Sequence, residues 1–476
     1  MNIRDRYLIN TLITSNPAKT RIFYLTCFII PLIVRSIPEL LSKPPIGFDT
    51  VIYLVQAKQL SSTPSMLPFF SKILSILYLS GIDLMLLMKI IPVIVFTLIV
   101  FLSCLYAWRR LGWRRSEIII LCLVMSFSTA MLRASWDLHR QSLATLFLIL
   151  YMNIDLFVYF SKRAFVTSFI LVILVSLLHE IVLAVLSIMN IYLMLLSVKE
   201  RSFKKTIAFL TLVSAPVMIY ELAMYASYSK FALLTDIFED LLSRFEPSGY
   251  QNVVSHAVGI LVATFWYILP LSPLGFFHDR HLSPWLLLTL SAYLSEVLTP
   301  FMSIKMAERW MLYMMVPLAF YASNALRKLS TSLNRKVPVF IALTIISLNG
   351  FGMLGIIQPF RLPSELYIGF IPSTMVFSTS KPEHVEEVIE FTRVIKNLSW
   401  GNACIVTHDP WFSYWVQYLT DLKIYTFSKT GPDPAISEAE TEECNEIYVI
   451  WFKGQVNGEL ISKGNELGLY RVQTVK

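Results

Sequence analysis

The stretch DLMLLMKIIPVIVFTLIVFLSCLYAWRRLGWRR, Asp83 to Arg115, decides the fold of this chain. Its apolar run is long enough to cross the hydrocarbon core of a bilayer as a helix, which takes roughly 20 residues. The four arginines of RRLGWRR follow directly, and cytoplasmic loops of membrane proteins carry an excess of Lys and Arg. The stretch therefore predicts a transmembrane helix that ends in the cytoplasm.

The same pattern recurs along most of the 476 residues, of which 55% are hydrophobic and only 15% charged. The mean hydropathy of +0.62 excludes an ordinary soluble globular protein. Because lipid cannot satisfy backbone polar groups, we expect an all-α polytopic membrane protein of about 11 transmembrane helices. The predicted spans lie near residues 22–38, 83–107, 117–133, 142–161, 164–178, 181–198, 206–222, 257–277, 284–300, 309–326 and 337–357.

Basic clusters give these spans one consistent orientation. They are RRLGWRR (Arg109 to Arg115), SKR (Ser161 to Arg163), KERSFKK (Lys199 to Lys205), HDRH (His278 to His281) and RKLSTSLNRK (Arg327 to Lys336). Together with the basic N-terminus they fall in alternate loops, which predicts a cell membrane protein with a cytoplasmic N-terminus. The first outer loop is then about 39–82, and everything after about residue 358 is extracytoplasmic.

The C-terminal part differs in composition from the rest. Residues 377–476 carry 14 acidic and 9 basic side chains, against 18 and 31 in the remainder, so the net charge of +8 belongs to cytoplasmic loops and indicates no nucleic-acid partner. EHVEEVIEFTRVIKNL has helical periodicity, whereas NACIVTHD, KIYTFS and EIYVIWFKG are typical of strands. We predict a transmembrane catalytic domain (1–357), a linker (358–376) and a small extracytoplasmic α/β domain (377–476).

The five cysteines fall into two groups. Cys404 and Cys444 lie beside predicted strands of the outer domain, where both a disulfide and two free thiols remain open. Cys27, Cys104 and Cys122 lie in predicted spans, where a buried structural thiol is the ordinary interpretation.

Candidate functional residues come from charges at membrane depth, because the sequence has no Walker loop, GxGxxG, HExxH, paired CxxC or nucleophile elbow. A charged side chain at the centre of a span costs about 2.5–3.5 kcal/mol on insertion scales, which favours a functional reason for it. Four clusters lie on the expected outer side. The first is Asp49 in GFDTVIY, either a catalytic acid or the N-cap of a helix over Val51 to Leu60 lying on the membrane surface.

The second cluster, MLRASWDLHRQSL, is predicted as a short outer link with Arg133, Asp137, His139 and Arg140. It contains no Gly or Pro and could continue either neighbouring helix. Arg133 and Asp137 are four residues apart and share one face if the segment is helical. A salt-bridged interfacial turn is the alternative to a carboxylate held at a reaction centre.

The third and fourth clusters are LLHEIV, with His179 and Glu180 at a break between two short helices, and KMAERWMLYM, with Glu308 and Arg309. An aromatic belt with an interfacial ion pair is the structural alternative for the fourth. Together, carboxylates and arginines on one outer face suit activation of an acceptor nucleophile beside a bound lipid-linked phosphate.

These features resemble the GT-C superfamily of polyprenyl-phosphate-sugar-dependent glycosyltransferases, such as protein O-mannosyltransferases and lipid A aminoarabinose transferases. The resemblance rests on the span number, GFDTVIY, RASWDLHRQSL, the broken HE helix, ERWMLYM and the outer α/β domain. It implies that Asp49 is the catalytic base of an inverting transfer and that Asp137 is a second acid. It also implies that Arg140 and Arg309 bind the lipid phosphate, with Arg133, His139, His179, Glu180 and Glu308 as further substrate contacts.

Some features stay open at this level. Asp49 is followed by Thr50, whereas some relatives have paired acids in this loop, so a divalent metal at Asp49 and Asp137 is left open. The donor is expected to be a polyprenyl-phosphate sugar in the membrane lipid. The sequence does not indicate which acceptor hydroxyl or amide receives the sugar. Two alternatives stay open: a transporter or flippase of a lipid-linked or anionic solute, and an outer-surface glycan polymerase or ligase. Transporters often contain internal repeats, and this sequence shows no such duplication.

Overall fold

The computed structural model describes residues 17–60, 69–154, 156, 160–228, 250–277, 282–298, 307–330, 336–354, 382–398, 403–409, 412–427, 431–442 and 444–472. Contacts divide the chain into two units. The first comprises Met1–Ile37 and Ile90–Pro372, and the second comprises Pro38–Lys89 and Ser373–Lys476. The predicted linker 358–376 lies outside the described residues.

The first unit is helical throughout its described part. In chain order, and including α2 and α3 of the second unit, the helices are α1 (Pro17–Leu41), α2 (Phe48–Leu60), α3 (Phe69–Leu79), α4 (Leu84–Arg109), α5 (Arg115–Ser126), α6 (Thr129–Asp137), α7 (His139–Ile154), α8 (Lys162–Leu178), α9 (Glu180–Lys199), α10 (Phe203–Tyr228), α11 (Tyr250–Phe265), α12 (Ser272–Phe276), α13 (Ser283–Tyr293), α14 (Ser295–Leu298), α15 (Ala307–Tyr313), α16 (Met315–Ser330) and α17 (Lys336–Met353). Every predicted span corresponds to one of these helices or to a broken pair of them.

Four of the described helices are long and apolar enough to cross a membrane, at Arg21–Leu41, Leu84–Arg109, Glu180–Lys199 and Phe203–Tyr220. Helices α5 and α6 make a fifth if they form one span bent by 54°. The protein is therefore a multi-pass membrane protein, as predicted, and the number of about eleven spans stays a prediction. Helices α6 and α7 run through RASWDLHRQSL with only Leu138 outside a helix, so this link continues both of its neighbouring helices.

The second unit contains the C-terminal sheet domain. Its elements are α18 (Pro382–Leu398), β1 (Ala403–His408), α19 (Ser413–Leu419), β2 (Lys423–Phe427), α20 (Asp433–Thr441), β3 (Glu446–Phe452), β4 (Glu459–Lys463) and β5 (Leu467–Val472). The strand order is β2-β1-β3-β5-β4. Strands β1, β2 and β3 are parallel, whereas β5 is antiparallel to β3 and β4 to β5. The predicted helix and three strands are confirmed, and β4 and β5 were not anticipated.

The first outer loop belongs to this second unit. Helix α2 packs against α3 and α19, and its side chains Val51, Leu54 and Val55 are buried. The prediction of a helix here is confirmed, its apolar side chains pack inside the protein, and its placement on a membrane surface stays a prediction. Two ion pairs join the loop to the C-terminal domain: Lys43 to Glu386 at 2.9 Å and Lys58 to Asp421 at 2.8 Å.

Cys404 and Cys444 form a disulfide that closes a sequence separation of 40 residues in the sheet domain. A cross-link of this length limits the unfolded chain and typically contributes about 2–4 kcal/mol to stability. We expect Cys404→Ser/Cys444→Ser to speed hydrogen exchange of the β1 and β3 amides, measured by mass spectrometry on the full-length protein. Helix α9 serves as the internal control and should keep its exchange rate. Unchanged exchange in β1 and β3 would show that the bond does not stabilise the sheet.

Candidate functional site

Helices α8 and α9 are separated by a single extended residue, His179. The carbonyl of Leu178, at the end of α8, accepts two hydrogen bonds from Arg140, from Nε at 3.1 Å and Nη2 at 2.9 Å. The backbone N–H of Ile181, at the start of α9, donates to His179 Nδ1 at 3.2 Å. Side chains thus satisfy backbone groups that a broken helix leaves without intrahelical partners. The break that the sequence predicted at this point is confirmed.

Charged side chains surround this break. His179 Nε2 lies 3.7 Å from Glu180 Oε1, and its ring is buried while the Glu180 side chain is 46% exposed. Because His179 Nδ1 accepts a hydrogen bond, a neutral ring carries its proton on Nε2 and directs it toward this carboxylate. The charges of Arg140 and Arg309 both act on His179 and Glu180. The His179 ring centroid also lies 6.3 Å from that of Tyr313.

A second cluster lies at the break between α6 and α7. Asp137 is buried and forms an ion pair with Arg133, one turn earlier on α6, with side-chain exposures of 4% and 15%. His139, the first residue of α7, is buried as well. The spacing of four residues that predicted this pair is therefore confirmed as a contact. Asp137 is already held by a cation from its own helix.

Arg35 is a buried charge that the sequence analysis missed. It lies inside the apolar run of α1 and is fully buried. Its Nε donates to Ser135 Oγ at 2.8 Å, its Nη2 donates to the Ser135 carbonyl at 3.3 Å, and its charge acts on His139. The rule applied to the other clusters, a charge within a predicted span, would have found it.

A small cavity lies between α6, α7, α15 and α16, with Gln141, Thr145 and Tyr313 in its lining. Its room for water is ≈ 10 Å³, about that of one water molecule. Gln141 is buried, and neither polar atom of its amide has a hydrogen-bond partner among the residues that the structure describes. Gln141 and Tyr313 were quoted in the motifs, but only the structure indicates that they line one cavity.

Asp49 is a half-buried residue in the first turn of α2, in the second unit. The chain turns into this helix at Gly47, whose φ of +106° is a conformation that glycine readily adopts. The neighbouring Thr50 is buried and donates from Oγ1 to the Ile46 carbonyl at 2.7 Å. Glu39, a buried carboxylate that the sequence analysis passed over, accepts from the Ile46 N–H at 3.4 Å.

The structure groups the predicted site residues as follows. Arg140, His179, Glu180 and Arg309 interact around the break between α8 and α9, and Arg133 pairs with Asp137. Glu308 lies in α15, but its side chain is outside the described residues. A metal at Asp49 or Asp137 stays a prediction. In the part of the chain that the structure describes, one group of three side chains could hold a metal ion, and it consists of Cys27, Cys104 and Cys122.

No protein-family model and no curated protein matches this sequence. Solved structures do match its fold. ArnT from Cupriavidus metallidurans bound to undecaprenyl phosphate has a TM-score of 0.58 at 9% identity, covering 96% of this chain and 98% of that chain. The apo state of the same protein gives 0.56, with the same identity and coverage. The chain therefore shares the fold of ArnT. Arabinofuranosyltransferase AftD from Mycobacteria has a TM-score of 0.48 at 13% identity, covering 95% of this chain and 40% of that chain.

The pair of Arg133 and Asp137 gives a stability prediction. Asp137→Asn leaves a mostly buried guanidinium without its carboxylate, and we expect a loss of about 3–5 kcal/mol. Arg133→Leu/Asp137→Leu removes both charges and should recover most of that loss. Thermal unfolding in detergent measures both variants.

Transfer activity of the double variant separates a structural from a catalytic role for this pair. A stable but inactive double variant would assign the pair of Arg133 and Asp137 a part in substrate binding or catalysis. An Asp137→Asn protein that is as stable as the wild type would contradict the buried pair.

Proposed function

We propose that this protein is a membrane glycosyltransferase that moves a sugar from a polyprenyl-phosphate donor to an acceptor hydroxyl or amide on the extracytoplasmic face. The observation that carries the proposal is the pair of arginines, Arg140 and Arg309, at the helix break of a chain with the GT-C fold. The likeness to ArnT bound to undecaprenyl phosphate supports a lipid phosphate as the partner. We also propose that the N-terminus of the chain lies in the cytoplasm.

The arginines bind the phosphate of the donor in this proposal. A guanidinium carries five N–H donors in a planar fork and stays charged at any working pH. In the described residues, Arg140 uses donors on Nε and Nη2 for the Leu178 carbonyl. Its remaining donors and those of Arg309 are directed to phosphate oxygens. This charge also stabilises the polyprenyl phosphate that leaves with a negative charge.

Asp49 acts as the general base. It takes the proton of the acceptor as the acceptor oxygen or nitrogen bonds to the anomeric carbon, while the bond from that carbon to the phosphate oxygen breaks. Attack from the face opposite the leaving phosphate inverts the anomeric configuration. His179 and Glu180 are further substrate contacts, since the charges of Arg140 and Arg309 both act on them.

Among the described residues, neither Asp49 nor Asp137 belongs to a group of three or more side chains that could hold a metal ion. The Thr50 hydroxyl donates inward to the Ile46 carbonyl, and Asp137 is bound by Arg133. Divalent cations such as Mg²⁺ and Ca²⁺ prefer carboxylate and carbonyl oxygens. We therefore derive no step through a metal.

Asp49→Asn tests the base. It keeps the size of the side chain but cannot accept the proton, so transfer from a polyprenyl-phosphate sugar in membranes should fall by about 100-fold or more at unchanged expression. Asp83→Asn is the matched control, because Asp83 Oδ1 accepts the Met85 N–H at the start of α4 and asparagine caps helices as well as aspartate. Full activity of Asp49→Asn would remove Asp49 from the mechanism.

Arg140→Gln and Arg309→Gln test the phosphate site. A hydrogen bond to a charged group contributes about 1.5–3 kcal/mol. Each variant should therefore bind undecaprenyl phosphate at least about 10-fold more weakly than the wild type. Arg163→Gln is the control, because Arg163 is exposed at the opposite end of α8. Binding is measured by native mass spectrometry or by thermal shift with the lipid. If all three variants bind equally well, the phosphate site lies elsewhere.

A further inference from the structure

Three cysteines from three helices meet at one buried point of the first unit. Cys27 on α1, Cys104 on α4 and Cys122 on α5 are 1%, 3% and 0% exposed, and their sulfur atoms all lie within 4.8 Å of one another. Cys27 is distant in sequence from Cys104 and Cys122, which lie on consecutive helices, and the other two of the chain's five cysteines form the disulfide. All free thiols of the chain therefore gather in one cluster, whereas three unrelated structural cysteines would be expected to scatter over the helices.

Two of these thiols also contact oxygen atoms. Cys104 Sγ donates to the Ile118 carbonyl at 3.9 Å, and Cys122 Sγ donates to the Cys27 carbonyl at 3.8 Å. Cys122 Sγ is also 4.0 Å from Ser126 Oγ. These weak thiol hydrogen bonds hold the sulfurs beside one another, within the 4.8 Å that separates them at most.

We propose that Cys27, Cys104 and Cys122 bind one Cu(I) ion. Metal–thiolate bonds of about 2.3 Å place three sulfurs around one ion about 4.0 Å apart, so the cluster needs to contract by less than about 1 Å. Soft thiolate ligands favour Cu(I) and Zn²⁺, but structural zinc sites take four ligands. In the described part of the chain no histidine, aspartate or glutamate joins the three sulfurs.

Binding adds negative charge to the site, because three thiols release their protons to water and leave a net charge of −2 with Cu(I). Arg109 at the end of α4 and Arg115 at the start of α5 lie on the helices that carry Cys104 and Cys122. Because the sulfurs are buried, we expect the ion to enter while the helices assemble.

The first test uses full-length protein purified without oxygen from cells grown with added copper. We expect one copper per chain by elemental mass spectrometry, and X-ray absorption should show three sulfur neighbours at about 2.3 Å. Copper no higher than in Cys27→Ala/Cys104→Ala/Cys122→Ala, or zinc in its place, would overturn the proposal. The absorption measurement on wild-type protein decides the question even if that variant does not fold.

The second test assigns the ligands. Each single variant, Cys27→Ser, Cys104→Ser and Cys122→Ser, should lose copper to the chelator bicinchoninate at about 10-fold lower chelator concentration than wild type. Cys404→Ser/Cys444→Ser is the control and should hold copper like the wild type. The site would be contradicted if Cys404→Ser/Cys444→Ser lost copper while the three single variants kept it. Size-exclusion profiles check that each variant is folded.

Discussion

The hydrogen bonds from Arg140 to the carbonyl of Leu178 permit a helix to end and restart inside an apolar protein. Each unsatisfied backbone group in lipid costs several kcal/mol, so a break at this depth requires partners from side chains. Arg140 supplies them at the end of α8, and the His179 ring supplies one at the start of α9. A cation near a helix C-terminus is also favoured by the helix dipole. The carbonyl end of α8 thus stabilises the charge of Arg140, and the hydrogen bonds of Arg140 stabilise the break in the helix.

This constraint bears on how the proposed phosphate-binding cation Arg140 is held among apolar helices in the absence of substrate. Arg140 has a resting partner in the backbone, and Glu180 gives the surrounding positive charge a carboxylate nearby. Arg133 has Asp137, and Arg35 has Ser135. Each of these cations is therefore held in a fixed direction by its own unit, and preorganised donors of this kind stabilise a developing negative charge better than mobile ones.

The sequence predicted features that depend on neighbours along the chain. The four-residue spacing of Arg133 and Asp137 gave their pairing, and the charges within an apolar run gave the break at His179. Arg35 followed the same rule but was overlooked, because a single arginine does not interrupt an otherwise apolar run. Contacts between distant segments were beyond reach: Lys43 and Glu386 are 343 positions apart, and no periodicity encodes such a pairing. The amide of Gln141, which has no hydrogen-bond partner among the described residues, likewise depends on the four helices around its cavity.

The joining of the first loop to the C-terminal domain also sets an order of events during synthesis. Helix α2 carries Asp49, and its surroundings include α19 and the ion pairs to Glu386 and Asp421. Those partners leave the ribosome more than 300 residues after Asp49. The transmembrane helices can therefore insert one after another while this loop still lacks its packing. A nascent chain acquires the final environment of its candidate base only when translation is nearly complete, which keeps unfinished chains from presenting an assembled Asp49 segment.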